Sequence, residues 1–285
     1  MRSQELVLAA VQGVSMGGSG ARGVCPWCVF GGHRTSKKNL CVRSDGSWNC
    51  FRCRRYGQLE GYERLPQEAA IPDIEYMDPP PGFSMLRDGI CGSNRFAYDY
   101  IKSRGVDKIP DSVIFEAMLG ITWEPPNKEE DELDFRKRLI VPITDTSGRW
   151  IGYVGRDTRP KSTLPYLYSR GTHRANMLYN EKALYVETDV PLLVVEGTLD
   201  ALYLWPHAVA VLGTWGDRQA KMLLNAKRPV VAVLDGDAWR KGHALAIYLQ
   251  LHDIPSGYVK LGPRLDPDDY PRKQIFELAE RSLCL

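Results

Sequence analysis

Two CxxC pairs, CPWC at Cys25 and Cys28 and CFRC at Cys50 and Cys53, form the first constellation in this chain able to do chemistry. Thiolates bind zinc, and an x₂ spacing lets one tight turn present two sulfurs to a tetrahedral ion. Twenty-one residues separate the pairs, enough for a hairpin that folds one turn against the other. The pattern predicts a structural Zn²⁺ held by Cys25, Cys28, Cys50 and Cys53, with a variant cage in which His33 replaces one thiolate left open. The second constellation is acidic. Glu196 closes the apolar run PLLVVE, and Asp235 and Asp237 close PVVAVLDGD. Hard divalent ions take oxygen ligands. Glu196, Asp235 and Asp237, with Asp200 and Asp266 as secondary members, therefore predict a catalytic Mg²⁺ or Mn²⁺ site.

The elements that must position these groups are legible in outline. LCVR and SWNCF, on either side of Ser44-Asp45-Gly46, read as a β-hairpin, because Asp-Gly between apolar runs favours a tight turn. It delivers Cys50 and Cys53 from the end of its second strand. Basic residues surround this module, and Trp27, Trp48, Phe51 and Tyr56 are interleaved with them. Cations neutralise phosphates and aromatic faces stack on unpaired bases. Arg34, Lys37, Lys38, Arg52, Arg54 and Trp48 are expected to contact nucleic acid, with the alternative that the aromatics form the module's own small core.

From Pro191 onward, four short valine-rich runs (PLLVVE, HAVAVL, PVVAVLD, SGYVKL) alternate with helical stretches. Continuous apolar strands alternating with helices predict a parallel sheet covered on both faces. In such a sheet every strand's carboxyl end lies on one edge, so Glu196 and the two aspartates would meet there. Between Phe135 and Arg156, two strands read around a Thr146-Ser147-Gly148 turn, and FAYDYIKSRG reads as a helix stopped by Gly105. Prolines 66, 72, 79, 80 and 81 resist helix and sheet alike. The expected organisation is a zinc ribbon over 1–63, a Pro-rich linker over 64–84, a small α+β subdomain over 85–190 and a catalytic α/β subdomain over 191–285.

Bulk composition adds boundaries. The 285-residue chain has a formal net charge of +2, but residues 1–64 carry +6 and the remainder −4. A basic front suits phosphate. Seven cysteines admit no complete disulfide framework and fit a reducing compartment. Residues 3–12 read as one amphipathic helix, since Glu5 and Gln12 interrupt the apolar stretch LVLAAVQGV as a targeting signal, and no run reaches membrane-spanning length. Gly17-Gly18-Ser19-Gly20 is followed by no Gly-Lys-Ser/Thr, which excludes a P-loop.

VVEGTLDALYL, VLDGDAW and LDPDDY resemble the three acidic motifs of the Toprim fold, and the cysteine spacing resembles that of primase zinc-binding domains. FRKRLIVPITDTSGRWIGYVGR followed by PYLYS is similar to the subdomain that precedes Toprim in DnaG-type primases. The resemblance runs from about residue 24 to 270. It implies a Toprim-type, mostly parallel sheet behind a small α+β subdomain and an N-terminal zinc ribbon. It also implies an RNA polymerase that makes short primers on a single-stranded DNA template from ribonucleoside triphosphates. Glu196 is then a catalytic acid or metal ligand, and Asp235 and Asp237 are metal ligands. Arg138 and Arg156 resemble basic positions holding template or triphosphate. Pro165 stands where a lysine is usual, so Lys161 or Arg170 is expected to supply that charge. Leu265 replaces another lysine before Asp266. The implied setting is cytoplasmic (the host's, if phage-encoded), with a separate replicative helicase. A zinc/Toprim recombination mediator and a Toprim nuclease remain alternatives.

Overall fold

The computed structural model describes residues 21–30, 39–43, 47–58, 75–86, 94–126 and 133–283. His33, Arg34, Lys37, Lys38, the Asp45-Gly46 turn and the helix expected over 3–12 lie outside the described residues. The chain divides into two compact units, Met1–Asp73 and Ile74–Leu285.

The first unit is a four-stranded antiparallel meander: β1 (Ala21–Gly23), β2 (Leu40–Val42), β3 (Ser47–Cys50) and β4 (Tyr56–Gln58), with helix α1 (Pro26–Phe30) between β1 and β2. The expected hairpin is present. Leu40 pairs with Cys50 and Val42 with Trp48, and the Arg43 amide donates to the Ser47 carbonyl at 2.8 Å. The core is Leu40, Val42 and Trp48 with three cysteines, and Trp27 stacks on Trp48 at 4.9 Å and 8°. So small an apolar cluster does not offset chain entropy by itself, and ligation of a metal by the four cysteines would supply the missing stability.

The second unit holds two sheets. In the antiparallel one, β5 (Ser84–Met85), β6 (Gly120–Ile121), β7 (Arg138–Thr144), β8 (Trp150–Asp157) and β9 (Tyr166–Tyr168) lie in sequence order, with α2 (Arg95–Lys102) and α3 (Asp111–Glu116) between β5 and β6. The β7–β8 turn closes on Gly148, whose φ of +86° suits glycine. Residues 75–84, placed in a linker by their proline density, pack with this unit. The Met77 amide donates to the Trp150 carbonyl at 3.0 Å, and Phe83 packs edge-on to Trp150. Proline bars such a stretch from central strands but not from lying along a sheet's face or edge.

The second sheet comprises β10 (Leu192–Val195), β11 (Ala208–Ala210), β12 (Val230–Ala232) and β13 (Ser256–Tyr258), all parallel, in the order β11-β10-β12-β13. Helices α4 (Thr198–Tyr203), α5 (Asp217–Leu223), α6 (Trp239–Gln250) and α7 (Arg272–Leu283) cover it. Strand alternation explains the two layers. Leu193, Val195, Val231 and Val233 pack with α4 and α7 residues such as Leu202 and Ile275. Leu192, Val194, Val230 and Ala232 pack with Ala220 and Leu223 of α5 and Leu245 and Leu249 of α6. The α4/α7 layer is continuous with Leu139, Val141 and Val154 of the antiparallel sheet and Ile101 of α2. The residues on either side of position 190 therefore share one core. Among the described residues no helix is long and apolar enough to cross a membrane.

Candidate metal centres and nucleic-acid interface

The four predicted thiols meet. Cys25 and Cys28 flank the start of α1, Cys50 ends β3 and Cys53 sits in the following turn. Their ligand atoms all lie within 4.8 Å of one another. The Cys25–Cys53 and Cys28–Cys50 sulfurs are each 3.7 Å apart. A tetrahedral ion with Zn–S near 2.3 Å demands about 3.8 Å between sulfurs, so the set fits zinc. Burial pushes the Cys25 thiol up to about 12 and raises that of Cys28. Burial acts on Cys50 too, but the Cys53 and Arg52 amides, each 3.4 Å from its sulfur, bring it down to about 7. Those amides stabilise a thiolate before any ion arrives.

Trp48, expected to contact nucleic acid, is instead 7% exposed and stacked under Trp27. Its face of β3 is the one that packs on Leu40 and Val42, so the strand's alternation carries it inward. The aromatics that face solvent are Phe51 and Tyr56, 58% and 82% exposed, with the Arg22 guanidinium 5.8 Å from the Phe51 ring. Arg52 and Arg54 are exposed beside them.

The acidic residues converge on the carboxyl edge of the parallel sheet. Strand order reverses between β10 and β12, the position at which open α/β sheets bind ligands. Glu196 follows β10 directly, and Asp235 lies three residues past β12. The Asp235 amide faces the Glu196 carboxylate closely enough to ease its ionisation. Gly236 has no room for a side chain, since a Cβ there would sit 1.8 Å from the Gly262 carbonyl oxygen. Its amide donates to the Leu265 carbonyl at 2.9 Å, which draws the loop carrying Asp266 over the Asp-Gly-Asp turn.

The electrostatics show what this arrangement lacks. Burial first, then the charges of Glu196, Asp266 and Asp237, push Asp235 up to about 7. Burial also raises Glu196 and Asp266, and Asp200, deep in α4's first turn, is raised far above the usual carboxylate range. Among the described residues, Glu196 Oε1, Asp200 Oδ1 and Asp235 Oδ1 are buried with no hydrogen-bond partner. Orphaned carboxylate oxygens aimed into a shared polar nest are what a hard divalent cation satisfies, so these residues fit Mg²⁺ or Mn²⁺. The nest is wider than expected. Among the described residues, the acidic ligand atoms that gather within 4.8 Å belong to Asp266, Asp268 and Asp269 rather than to Glu196, Asp235 and Asp237. Asp269 caps a short 3₁₀ turn by accepting the Asp266 amide at 2.8 Å, and Asp268 is buried in an ion pair with Arg104. The three predicted ligands instead interact through repulsion, with Asp237 exposed at the rim.

Arg104 was not found from sequence. It lies two residues past α2, where a basic residue reads as an ordinary helix terminus. Gly105, at φ +75°, lies against the Tyr203 ring, and the Val106 amide donates to the Asp268 carbonyl at 3.0 Å. That docking swings the guanidinium onto Asp268, where its charge also lowers the cost of ionising Asp200 and Asp266. Lys241, hidden mid-pattern in α6, likewise lowers Glu196 by its charge while its Nζ donates to Thr214 at 3.1 Å.

The predicted basic residues of the antiparallel sheet separate. Arg156 and Asp200 both act on the Tyr166 hydroxyl, which puts Arg156 on the acidic side of the sheet. Its Nε donates to the Tyr100 hydroxyl at 2.8 Å, and its guanidinium lies 4.5 Å from the Tyr166 ring. Arg138 does not share that side. Its side chain is 11% exposed, donates to the Leu164 and Gly155 carbonyls and lies 3.9 Å from Asp157, so it braces β7, β8 and β9. Arg170 lines a cavity of about 430 Å³ with Phe135, Tyr153 and Met77 on the opposite face from Arg156. Lys161 is exposed in the β8–β9 turn at φ +58°.

No family model matches the chain. A DNA primase of Aquifex aeolicus (strain VF5) is 29% identical over 255 residues, covering 76% of this chain and 49% of that protein. One of Haemophilus influenzae is 34% identical over 50% of this chain and 27% of its own length. The chain thus spans half or less of these relatives. The fold matches a solved Aquifex aeolicus primase containing zinc-binding and RNA polymerase domains, with a TM-score of 0.55, 22% identity and coverage of 97% of this chain and 82% of that one. A DnaG primase catalytic domain bound to single-stranded DNA matches with a TM-score of 0.52 and 26% identity, over 66% of this chain and 74% of that one.

Proposed function

We propose that this chain, which resembles the DnaG-type primases in sequence and fold, synthesises short RNA primers on single-stranded DNA by metal-assisted nucleotidyl transfer. The observation that carries the reading is the convergence of Glu196 and Asp235, with orphaned oxygens, at the strand-order reversal of a parallel sheet. Phosphoryl transfer asks a protein mainly for position and charge neutralisation. Glu196, Asp235 and Asp237 would hold Mg²⁺ or Mn²⁺, with Asp200 and Asp266 behind them. Bound there, the ion supplies charge to the triphosphate and to the departing pyrophosphate.

The chain's own residues do the rest. The 3′-hydroxyl of one ribonucleotide attacks the α-phosphorus of the next, forming one P–O bond and breaking the bond to pyrophosphate. Glu196 would accept the hydroxyl proton. Arg156, fixed by Tyr100 and Tyr166, presents positive charge on the acidic side of the sheet, where triphosphate or template would pass. Phe51, Tyr56, Arg52 and Arg54 offer stacking faces and phosphate contacts for the unpaired template. A separate replicative helicase and a cytoplasmic setting follow from the resemblance alone.

The test combines the protein with a single-stranded template library, ribonucleoside triphosphates and Mg²⁺. New short RNA that disappears with Asp235→Ala supports the reading. Cleaved template would indicate a Toprim nuclease, and retention without chemistry a recombination mediator.

A further inference from the structure

Beside the acidic nest lies an aromatic and basic group that takes no part in the chemistry proposed above. Trp239 opens α6 two residues after Asp237. Its ring stacks with Tyr258 of β13 at 6.3 Å and 18°, and the His243 ring lies 4.6 Å from that of Tyr258. The Lys260 ammonium sits 4.7 Å from the Trp239 ring centre and the Arg240 guanidinium 4.8 Å. Arg240, His243, Lys260 and Arg264 are exposed, and among the described residues none of them has a carboxylate partner. The group lies on the flank of β13, the outer strand of the parallel sheet. The first turn of α6 divides its charge: Lys241 reaches Thr214 and the Glu196 side, while Arg240 lies against Trp239.

We propose that this flank is a second contact for the single-stranded DNA template, gripping its phosphates with Arg240 and Lys260 where the strand passes the metal nest. The inference rests on the proposed polymerase reading, which supplies the strand. Cations held over an indole lose less freedom on binding than free side chains, and their N–H donors still face solvent. The nest beside them is acidic and repels a polyanion, so a strand crossing that edge gains most where unpaired positive charge begins. Template DNA is the fitting occupant because it is long. It can lie across the nest and the flank together before any primer exists.

The experiment titrates full-length, zinc-loaded protein with a labelled oligodeoxythymidine of about thirty nucleotides over a range of salt. Each phosphate contact to a single strand contributes about 0.7 to the slope of log affinity against log salt. Arg240→Ala with Lys260→Ala is expected to lower that slope by about 1.4, which is about a twenty-fold loss of affinity at roughly 0.1 M salt. Arg240→Lys with Lys260→Arg should restore it. An unchanged slope in the alanine pair overturns the proposal. So does a polyglutamate peptide that binds the parent more tightly than the oligonucleotide and loses affinity in the alanine pair, since that marks an acidic protein partner. Asp235→Asn separates the two readings: it should stop synthesis and leave the salt slope intact. Loss of synthesis alone speaks to the polymerase reading, and loss of slope alone to this one.

Discussion

Replacing Asp235 with asparagine should make the protein more stable while removing its activity. In the folded chain, burial and the charges of Glu196, Asp266 and Asp237 hold the Asp235 carboxyl at about 7, against an ordinary 3.8. At about 1.4 kcal/mol per pH unit, that displacement is about 4 kcal/mol in a site sealed from water. Asp235 is half-buried, and solvent screening reduces the figure to about 2 kcal/mol. Asparagine keeps the shape, carries no charge and can donate toward the unpartnered oxygen of Glu196.

The sign follows from proton binding. A raised carboxyl holds its proton in the folded state and loses it in the unfolded one, so the parent weakens as pH rises from about 4 to about 7. The asparagine variant escapes that loss. Its advantage should be full above about pH 7 and vanish below about pH 4. Calorimetry of the zinc-loaded protein without added Mg²⁺ should show Ile74–Leu285 melting about 4–8 °C higher in the variant at about pH 8. Added Mg²⁺ should raise the parent's melting temperature and leave the variant's nearly unchanged. A variant that melts no higher than the parent at about pH 8, or whose advantage persists below about pH 4, refutes the reasoning.

Four further outcomes are expected. Gly236→Ala forces a Cβ onto the Gly262 carbonyl and should cost about 3 kcal/mol in urea denaturation, with loss of the Mg²⁺-induced stabilisation. Arg104→Met leaves Asp268 buried without its partner and should destabilise the second unit by about 3–5 kcal/mol, whereas Arg104→Lys should recover part of that. Zinc chelation should unfold the first unit while the second keeps its structure, read by hydrogen exchange at Leu40–Val42 against Leu192–Val195. Trp48→Ala should destabilise the cysteine module, while Tyr56→Ala should leave it folded and weaken binding to single-stranded DNA by about 1–3 kcal/mol.

The residue pattern alone determined the architecture and the cysteine set, and it named acidic residues at the right sheet edge without placing their oxygens together. Valine-rich runs alternating with helices admit few solutions other than a parallel sheet covered on both sides, and paired CxxC turns joined by a hairpin must bring four sulfurs together. Local spacing and strand direction decide those features, and both can be read in one dimension. The prolines at 79–81 misled because an irregular stretch can still be held along a sheet, a contact that depends on Trp150 seventy residues away. Tertiary structure alone decided where charge is balanced. Arg104 meets Asp268 because Gly105 docks on Tyr203, Arg138 turns inward while Arg156 faces the nest, and Trp48 is core while Tyr56 is surface. A side chain's polarity is fixed by its type, but the partners that neutralise, bury or expose it come from distant parts of the chain and exist only once it has folded.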